Sequence, residues 1–340
     1  MYSGFRKLLV PIFVCVIIIT GCAPEISESG NTQIRPLEWW MSQMPMSNDT
    51  SFDYTLSSPT YREGKGPSVT IDGGHNNFHV TTGLIKPLAD LLLADGYTVN
   101  FSDQKFTDSA LQKTDILVVM SAMSSDFREG PPFESAFNRI ELDALKKWVS
   151  DGGSLLVFSE HFPFDKAVNP LLKVFGIETS IGVTVDDMNN DGEYGQIVFE
   201  ESRLNSSHSV IAGKRDVDKL VSWGGSALTG SRYSNILMLA DTARNEERSW
   251  NGTLTPPIGH GDSQGLVGQF GKGKIAAFGD SNGFVAMVFN DDEGKKSKVG
   301  MNQLSFDWKN FVLNTFDWLS LPEKPIESNQ VTSTLQPSTP

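Results

Sequence analysis

The chain has 340 residues, with 28 Lys and Arg against 41 Asp and Glu, and a formal net charge of −13. So acidic a surface offers phosphates no basic footprint, and nucleic acid is not an expected partner. The only cysteines are Cys15 and Cys22 near the N-terminus, so the rest of the chain can build no disulfide framework, cysteine zinc site or cysteine nucleophile and must rely on a packed core.

The opening "MYSGFRKLLVPIFVCVIIITGCAPE" sets Arg6 and Lys7 before an apolar run from Leu8 to Ile19, followed by Thr20-Gly21-Cys22. A charged start, a short apolar stretch and a small-residue boundary describe a secretory signal, and the run is too short to span a bilayer comfortably. Ile-Thr-Gly-Cys resembles the lipobox of bacterial lipoproteins. That resemblance implies a signal peptide over 1–21, a lipid on Cys22 as the new N-terminus, and membrane attachment in the cell envelope. Ala23 in place of an acid implies outer-membrane sorting where the cell has an outer membrane. Cleavage would remove Arg6 and Lys7, with no acid before Cys22, and take the charge from −13 to −15.

Residues 22–62, rich in Ser, Asn, Pro and Thr, suggest a tether. Trp39 and Trp40 in "PLEWWMSQMPM" would dock on the domain or lie near lipid headgroups. From there short β-branched runs alternate with helical ones. "SVTID" (68–72) predicts a strand, and "LIKPLADLLLAD" (84–95) a helix with Leu84, Leu88, Leu91 and Leu92 on one face and Gly96 as its stop. Then follow a strand at 97–101, a short helix near 109–112, the strand "DILVVM" (115–120), the helix "IELDALKKWVS" (140–150) and the wholly apolar strand "SLLVFS" (154–159). Strands apolar on both faces belong between helices, so the pattern predicts an α/β fold with a doubly wound, mostly parallel sheet of the flavodoxin kind. A helix at 167–175 follows. Residues 178–258 break the rhythm and predict an excursion of hairpins and loops. Two strands around Gly271-Lys272-Gly273 and a helix near 306–319 close a single domain over 63–320. The tail at 321–340 has few apolar residues to bury, and disorder is expected there. No repeat of solenoid period is visible.

In open parallel sheets ligands bind beyond the carboxyl ends of the strands. At those predicted ends stand Asp72, His75, Asn76, Asn77 and His79 in "IDGGHNNFH", then Ser121, then Glu160 and His161, then Asp280, Ser281 and Asn282. Three of the five histidines fall on this one rim. A ligand pocket and a set of Asx ties that only cap the next helix both account for such residues. Gly73 and Gly74 would let the backbone turn sharply or approach a ligand.

"IDGGHNNFH", "KPLADLLLADGYTV", "ALKKWVSDGGSLLVFSEHFPF" and "GLVGQFGKGKIAAFGDSN" together resemble a bacterial family described as DUF4350-type, over roughly residues 66–320. The resemblance implies a class I glutamine amidotransferase-like fold and a link to glycans, without naming a reaction. Amidotransferases carry a catalytic cysteine at a strand-to-helix elbow. The mature chain has none, so the resemblance does not extend to glutamine hydrolysis.

Other motifs point elsewhere. "FGDSN" (278–282) resembles the serine block of SGNH hydrolases, but no histidine follows His260 to serve as base, and Ser281 is expected to bond the turn backbone. "GQFGKGKI" (268–275) offers Ile275 where a phosphate loop needs Ser or Thr and leads into a strand, so it is a hairpin turn. "DMNNDG" (187–192) matches the first half of a calcium loop through Asp187, Asn189 and Asp191, but Val198 stands where the bidentate acid belongs. Calcium and a plain Asn/Asp turn both remain open. His75 and His79 could join His161 or Glu160 around zinc only if the rim closes.

Two functions follow. In the first, a glycan-associated binding module holds a small polar ligand through the rim residues, whose amides and carboxylates suit sugar hydroxyls. In the second, a hydrolase uses Glu160 with His75 or His161 as acid and base. Convergence of these three side chains on one cavity would favour the enzyme, and divergence the binding module.

Overall fold

The computed structural model describes residues 45–192, 195–248, 254–259, 262–290 and 294–320. Cys22, Trp39, Trp40, His260 and the 321–340 tail, with the expectations attached to them, lie outside the described residues. No helix among the described residues is long and apolar enough to cross a membrane.

The fold is mixed α/β around a large mixed sheet. Strands β2 (Ser68–Asp72), β3 (Thr98–Ser102), β4 (Ile116–Met120), β5 (Ser154–Phe158) and β15 (Gly273–Phe278) run parallel in the order β3-β2-β4-β5-β15. Register is continuous across the centre, with Val118 beside Leu156 and Leu156 beside Ala276. Beyond β15 the sheet turns antiparallel. Strand β14 (Ser263–Phe270) pairs with β15, β10 (Leu228–Thr229) and β11 (Ser234–Met238) pair with β14, and β6 (Glu178–Thr179) pairs with β10. A tight connection at Gly271, φ +64, obliges this reversal, because a short turn can join only antiparallel neighbours. The expected mostly parallel sheet is thus realised in one half, while β14 and, from the excursion, β10 and β11 supply the antiparallel other half. Strands β7 (Val183–Val185), β12 (Arg244–Arg248) and β13 (Leu254–Gly259) form a separate sheet, and β8 (Gln196–Glu200) pairs with β9 (Lys219–Trp223).

Every residue of β4, β5 and β15 is buried, which is the signature of strands covered on both faces. On one face Ile71, Val118, Leu156 and Phe278 meet helix α2 (Lys86–Ala94) and the closing helix α6 (Trp308–Ser320) through Leu88, Leu92, Trp308, Phe311 and Phe316. On the other, Leu117, Val119, Leu155 and Ile275 meet α4 (Arg139–Asp151) and α5 (Phe164–Val174) through Leu145, Val149, Val168 and Leu171. Two further helices, α1 (Phe78–Thr81) and α3 (Asp108–Leu111), are single turns.

The tether is shorter than its composition suggests. Residues 46–48 form strand β1 (Met46–Asn48), paired with β16 (Ala286–Asn290), which in turn pairs with β17 (Lys296–Gly300). Met46 and Phe52 are buried, and the buried Asp49 carboxylate accepts a 2.9 Å bond from Asn302 and lies 3.1 Å from Lys298. A lone apolar residue between polar ones carries no periodicity, so only its strand partner reveals it as core.

Candidate functional site

The loop after β2 is tied to its neighbours before it is available to any ligand. Asp72, buried at the strand end, accepts from Gly74 N at 3.0 Å, from His75 Nδ1 at 2.9 Å and from Asn77 Nδ2 at 3.1 Å. The other nitrogen of His75, Nε2, lies 2.8 Å from Glu141 Oε1. The His75 ring, wholly buried, packs against Phe106 and Phe137 with centroids 4.5 and 4.8 Å away. Each ring nitrogen thus faces a carboxylate oxygen, and the ring bridges the two acids. Glu141 also forms a capping box with Asn138 at the start of α4 and accepts from Phe106 N at 3.3 Å. Burial by itself would raise the Glu141 carboxyl, but the Asn138 amide and the His75 ring outweigh it and hold it below its ordinary value. His75 therefore clamps the β2 loop to α4, and shares no partner with Glu160 or His161. Glu141 escaped the sequence reading because Asn138-x-x-Glu141 already has a local use as a helix start. Gly74 is also structural: a Cβ there would sit 2.8 Å from Asp103 O, so the close approach is to backbone.

A second group does converge. Three non-glycine residues in the loops that follow adjacent parallel strands adopt left-handed backbone: Asn76 (φ +47), Ser121 (φ +50) and Glu160 (φ +57). Conformations this costly persist where the surroundings over-determine them, and they cluster at functional sites. Glu160, buried, accepts from Ser281 N at 2.9 Å and from the Ser281 hydroxyl, and its Oε1 lies 3.9 Å from His161 Nε2. Ser281 thus bonds a carboxylate and not the turn backbone. His161 Nδ1 bonds Phe162 O at 2.7 Å. His79 Nδ1 bonds Ser121 Oγ at 3.1 Å. Asp280 accepts from Trp223 N at 2.6 Å and from Asn282 N and Nδ2 at 2.9 and 2.8 Å. Asp165, in the first turn of α5 and absent from the sequence candidates, accepts from Gly182 N at 2.6 Å. Its signal was masked by the apolar periodicity of α5.

Burial dominates the electrostatics. It raises Glu160, and with help from the neighbouring Glu160 charge it pushes Asp280 up to about 7 and Asp165 well above the usual carboxylate range. Burial, then the charge of His161, pushes His79 down to about 3, so its ring is neutral at physiological pH.

The expected open cleft is closed. Of the rim residues named from sequence only Asn76 is half-buried, and the rest are buried. Phe78, Met123, Phe127, Phe133, Phe164 and Met287 form an apolar layer beside them, flanked by Phe162 and Trp223. The physical reason is the β1–β16–β17 sheet and the crossing segment 123–137, which the sequence pattern did not disclose. Open clefts of about 530 and 470 Å³ lie elsewhere, at the amino ends of the parallel strands by Asp115, Ser154 and Lys274, and beside β10 and β14.

In the 187–192 turn the hub is Asp186, which accepts from Asn189 Nδ2 at 2.8 Å and Thr242 Oγ1 at 2.9 Å, while Asp187 pairs with Arg244 at 2.8 Å. The Asn189 amide donates there. Among the described residues no group of three or more His, Cys, Asp or Glu is placed to hold a metal ion. The nitrogens of His75 and His79 are turned to different partners.

No family model matches the chain, and no curated protein matches it. Among solved structures, the mmIFT52 N-terminal domain is similar at 15% identity and a TM-score of 0.55, covering 76% of this chain and 100% of that domain. At that identity the likeness concerns fold alone. Weaker likenesses are to a ThuA-like protein from Bacteroides uniformis (13% identity, TM-score 0.41, 76% of this chain and 94% of that one) and to a Salmonella typhimurium protein described as cytoplasmic (14%, 0.43, 75% and 99%).

His75→Ala leaves the buried Asp72 and Glu141 carboxyls without their shared partner, and should cost about 3–5 kcal/mol in urea unfolding. A loss below about 1 kcal/mol would contradict the clamp. The raised carboxyls give a pH signature. Folded Asp280 keeps its proton up to about 7, whereas the unfolded chain loses it earlier, so this contribution is full at low pH and declines as pH rises to that value. The opposing His79 contribution acts only below its ordinary 6.5. Stability should therefore fall from pH 6.5 to about 7 and level off by pH 8, and Asp280→Asn should flatten the decline. Urea midpoints at these pH values check this, and an unchanged slope in the variant contradicts it.

Proposed function

We propose that this chain is a lipid-anchored cell-envelope protein whose doubly wound, amidotransferase-like domain binds a small polar ligand at the strand-end rim, with no glutamine amidotransferase activity. The observation that carries this reading is the trio of left-handed, non-glycine residues Asn76, Ser121 and Glu160 in the loops that follow three neighbouring strands. Such backbone is costly, and a fold that needed only to close its loops would use glycine there. Glu160, His161, His79, Asp280 and Ser281 provide donors and acceptors with few fixed charges, which suits the hydroxyls of a sugar or other glycan fragment. Because the rim is covered, the ligand is small, or enters as the Phe78, Phe162 and Trp223 layer moves aside. The divergence of His75 from Glu160 and His161 favours binding over an acid and base built from those three. Anchoring rests on the Arg6-Lys7, apolar-run and Thr20-Gly21-Cys22 pattern, and the glycan link on the resemblance drawn above.

Two experiments test the proposal on the full-length protein. Cys22→Ser should abolish incorporation of labelled palmitate and move the protein from the membrane to the soluble fraction; retained label would remove the anchor. In detergent micelles, a panel of neutral and amino sugars should include a ligand that raises Tm. A ligand at about 100 times its Kd adds about 2.7 kcal/mol, and Glu160→Gln should cancel the rise. A panel without any shift rules out the sugar ligand.

A further inference from the structure

Ser121 has a hydroxyl that the binding reading does not use. It directly follows Met120, the last residue of β4, at φ +50. The turn is pinned from the β2 loop on both sides, by Phe78 N donating to Ser121 O at 3.1 Å and Asn77 Nδ2 donating to Met120 O at 3.2 Å. A hydroxyl on a strained turn at a strand end, facing an imidazole from a neighbouring loop, is the arrangement that presents and activates a serine nucleophile. Here the imidazole is His79, with Nδ1 3.1 Å from Ser121 Oγ.

We infer that Ser121 and His79 form a nucleophile and base pair for acyl transfer, taking carboxylic esters with a small acyl group. Accepting from the serine hydroxyl puts the ring proton of His79 on Nε2, which makes no hydrogen bond among the described residues. His161 acts electrostatically on His79, and itself lies 3.9 Å from the Glu160 carboxylate, so a serine, two imidazoles and a carboxyl run in series across the rim. Ser121 Oγ attacks the ester carbonyl carbon as its proton passes to His79 Nδ1. The bond to the alkoxy oxygen breaks and that oxygen takes the proton from His79. Water then adds to the acyl-serine, again through His79, releasing the carboxylic acid and restoring the hydroxyl. Phe78 stands beside His79 and Phe164 beside His161, with 5.8 Å between their own centroids. Rings in contact with each other exclude a long chain, which restricts the acyl group to a small one.

This inference rests on the proposed entry of a small molecule at the rim, and adds bond-making to it. The test treats full-length protein in micelles with a small fluorophosphonate and locates the adduct by peptide mass. One adduct on the peptide carrying Ser121 is expected. It should be lost in Ser121→Ala and form at least about 100-fold more slowly in His79→Gln, as loss of a positioned base requires; near-UV circular dichroism establishes that each variant is folded. Absence of an adduct on the wild type, an adduct on another residue, or labelling of folded His79→Gln at the wild-type rate overturns the inference. A sugar that still raises Tm in a protein that takes no label would leave the binding reading standing and the acyl-transfer pair refuted. Labelling at Ser121 without any sugar response would do the reverse.

Discussion

Strands buried on both faces have no room for uncompensated polar side chains, and that constraint arranges everything else in this molecule. Strands β4, β5 and β15 are buried along their full length, and helices pack against both of their faces. Polar chemistry is therefore expelled to where the strands end and backbone groups fall free of the ladder. Ser121, Glu160 and Asp280 each stand within two residues of a strand terminus for that reason.

Once gathered at one rim, these residues face a second cost, because the rim itself is buried. The molecule meets it in two ways. On the α4 side it pairs acids through a shared ring: His75 sits between Asp72 and Glu141, and the ties of both carboxylates to backbone amides complete the set. On the other side it ties groups to backbone or strips their charge, as with Glu160, Asp280 and Asp165, whose carboxyls burial pushes upward, and His79, which gives up its charge. The first solution builds a rigid joint. The second leaves a cluster whose protonation responds to whatever enters, which is why binding and chemistry are assigned there and not to the clamp.

Much of the scaffold was legible in the sequence. The runs "DILVVM" and "SLLVFS" announced buried strands, "IELDALKKWVS" an amphipathic helix, and the Gly271-Lys272-Gly273 turn a hairpin, since each depends on local periodicity or local backbone preference. Strand β1 and the β16–β17 hairpin were not legible. Their residues are short and mixed, and become core only through each other, Met46 against Phe289 and Asn48 against Met287. For the same reason residues 45–62 passed for tether.

The sequence by itself determined that the chain has no cysteine after Cys22, that its centre is an α/β layer, and that most of its polar residues of interest stand at strand ends. These are consequences of composition and of spacing along one stretch of chain. Which side chains meet was decided only by the tertiary structure. Asp72 and Glu141 capture His75, Glu160 turns to Ser281, and His79 turns to Ser121, because a side chain's partner is set by rotamer and by the packing of distant segments. The same distance in sequence hides the cover over the rim, whose aromatic residues come from loops that are neighbours only after the sheet has formed.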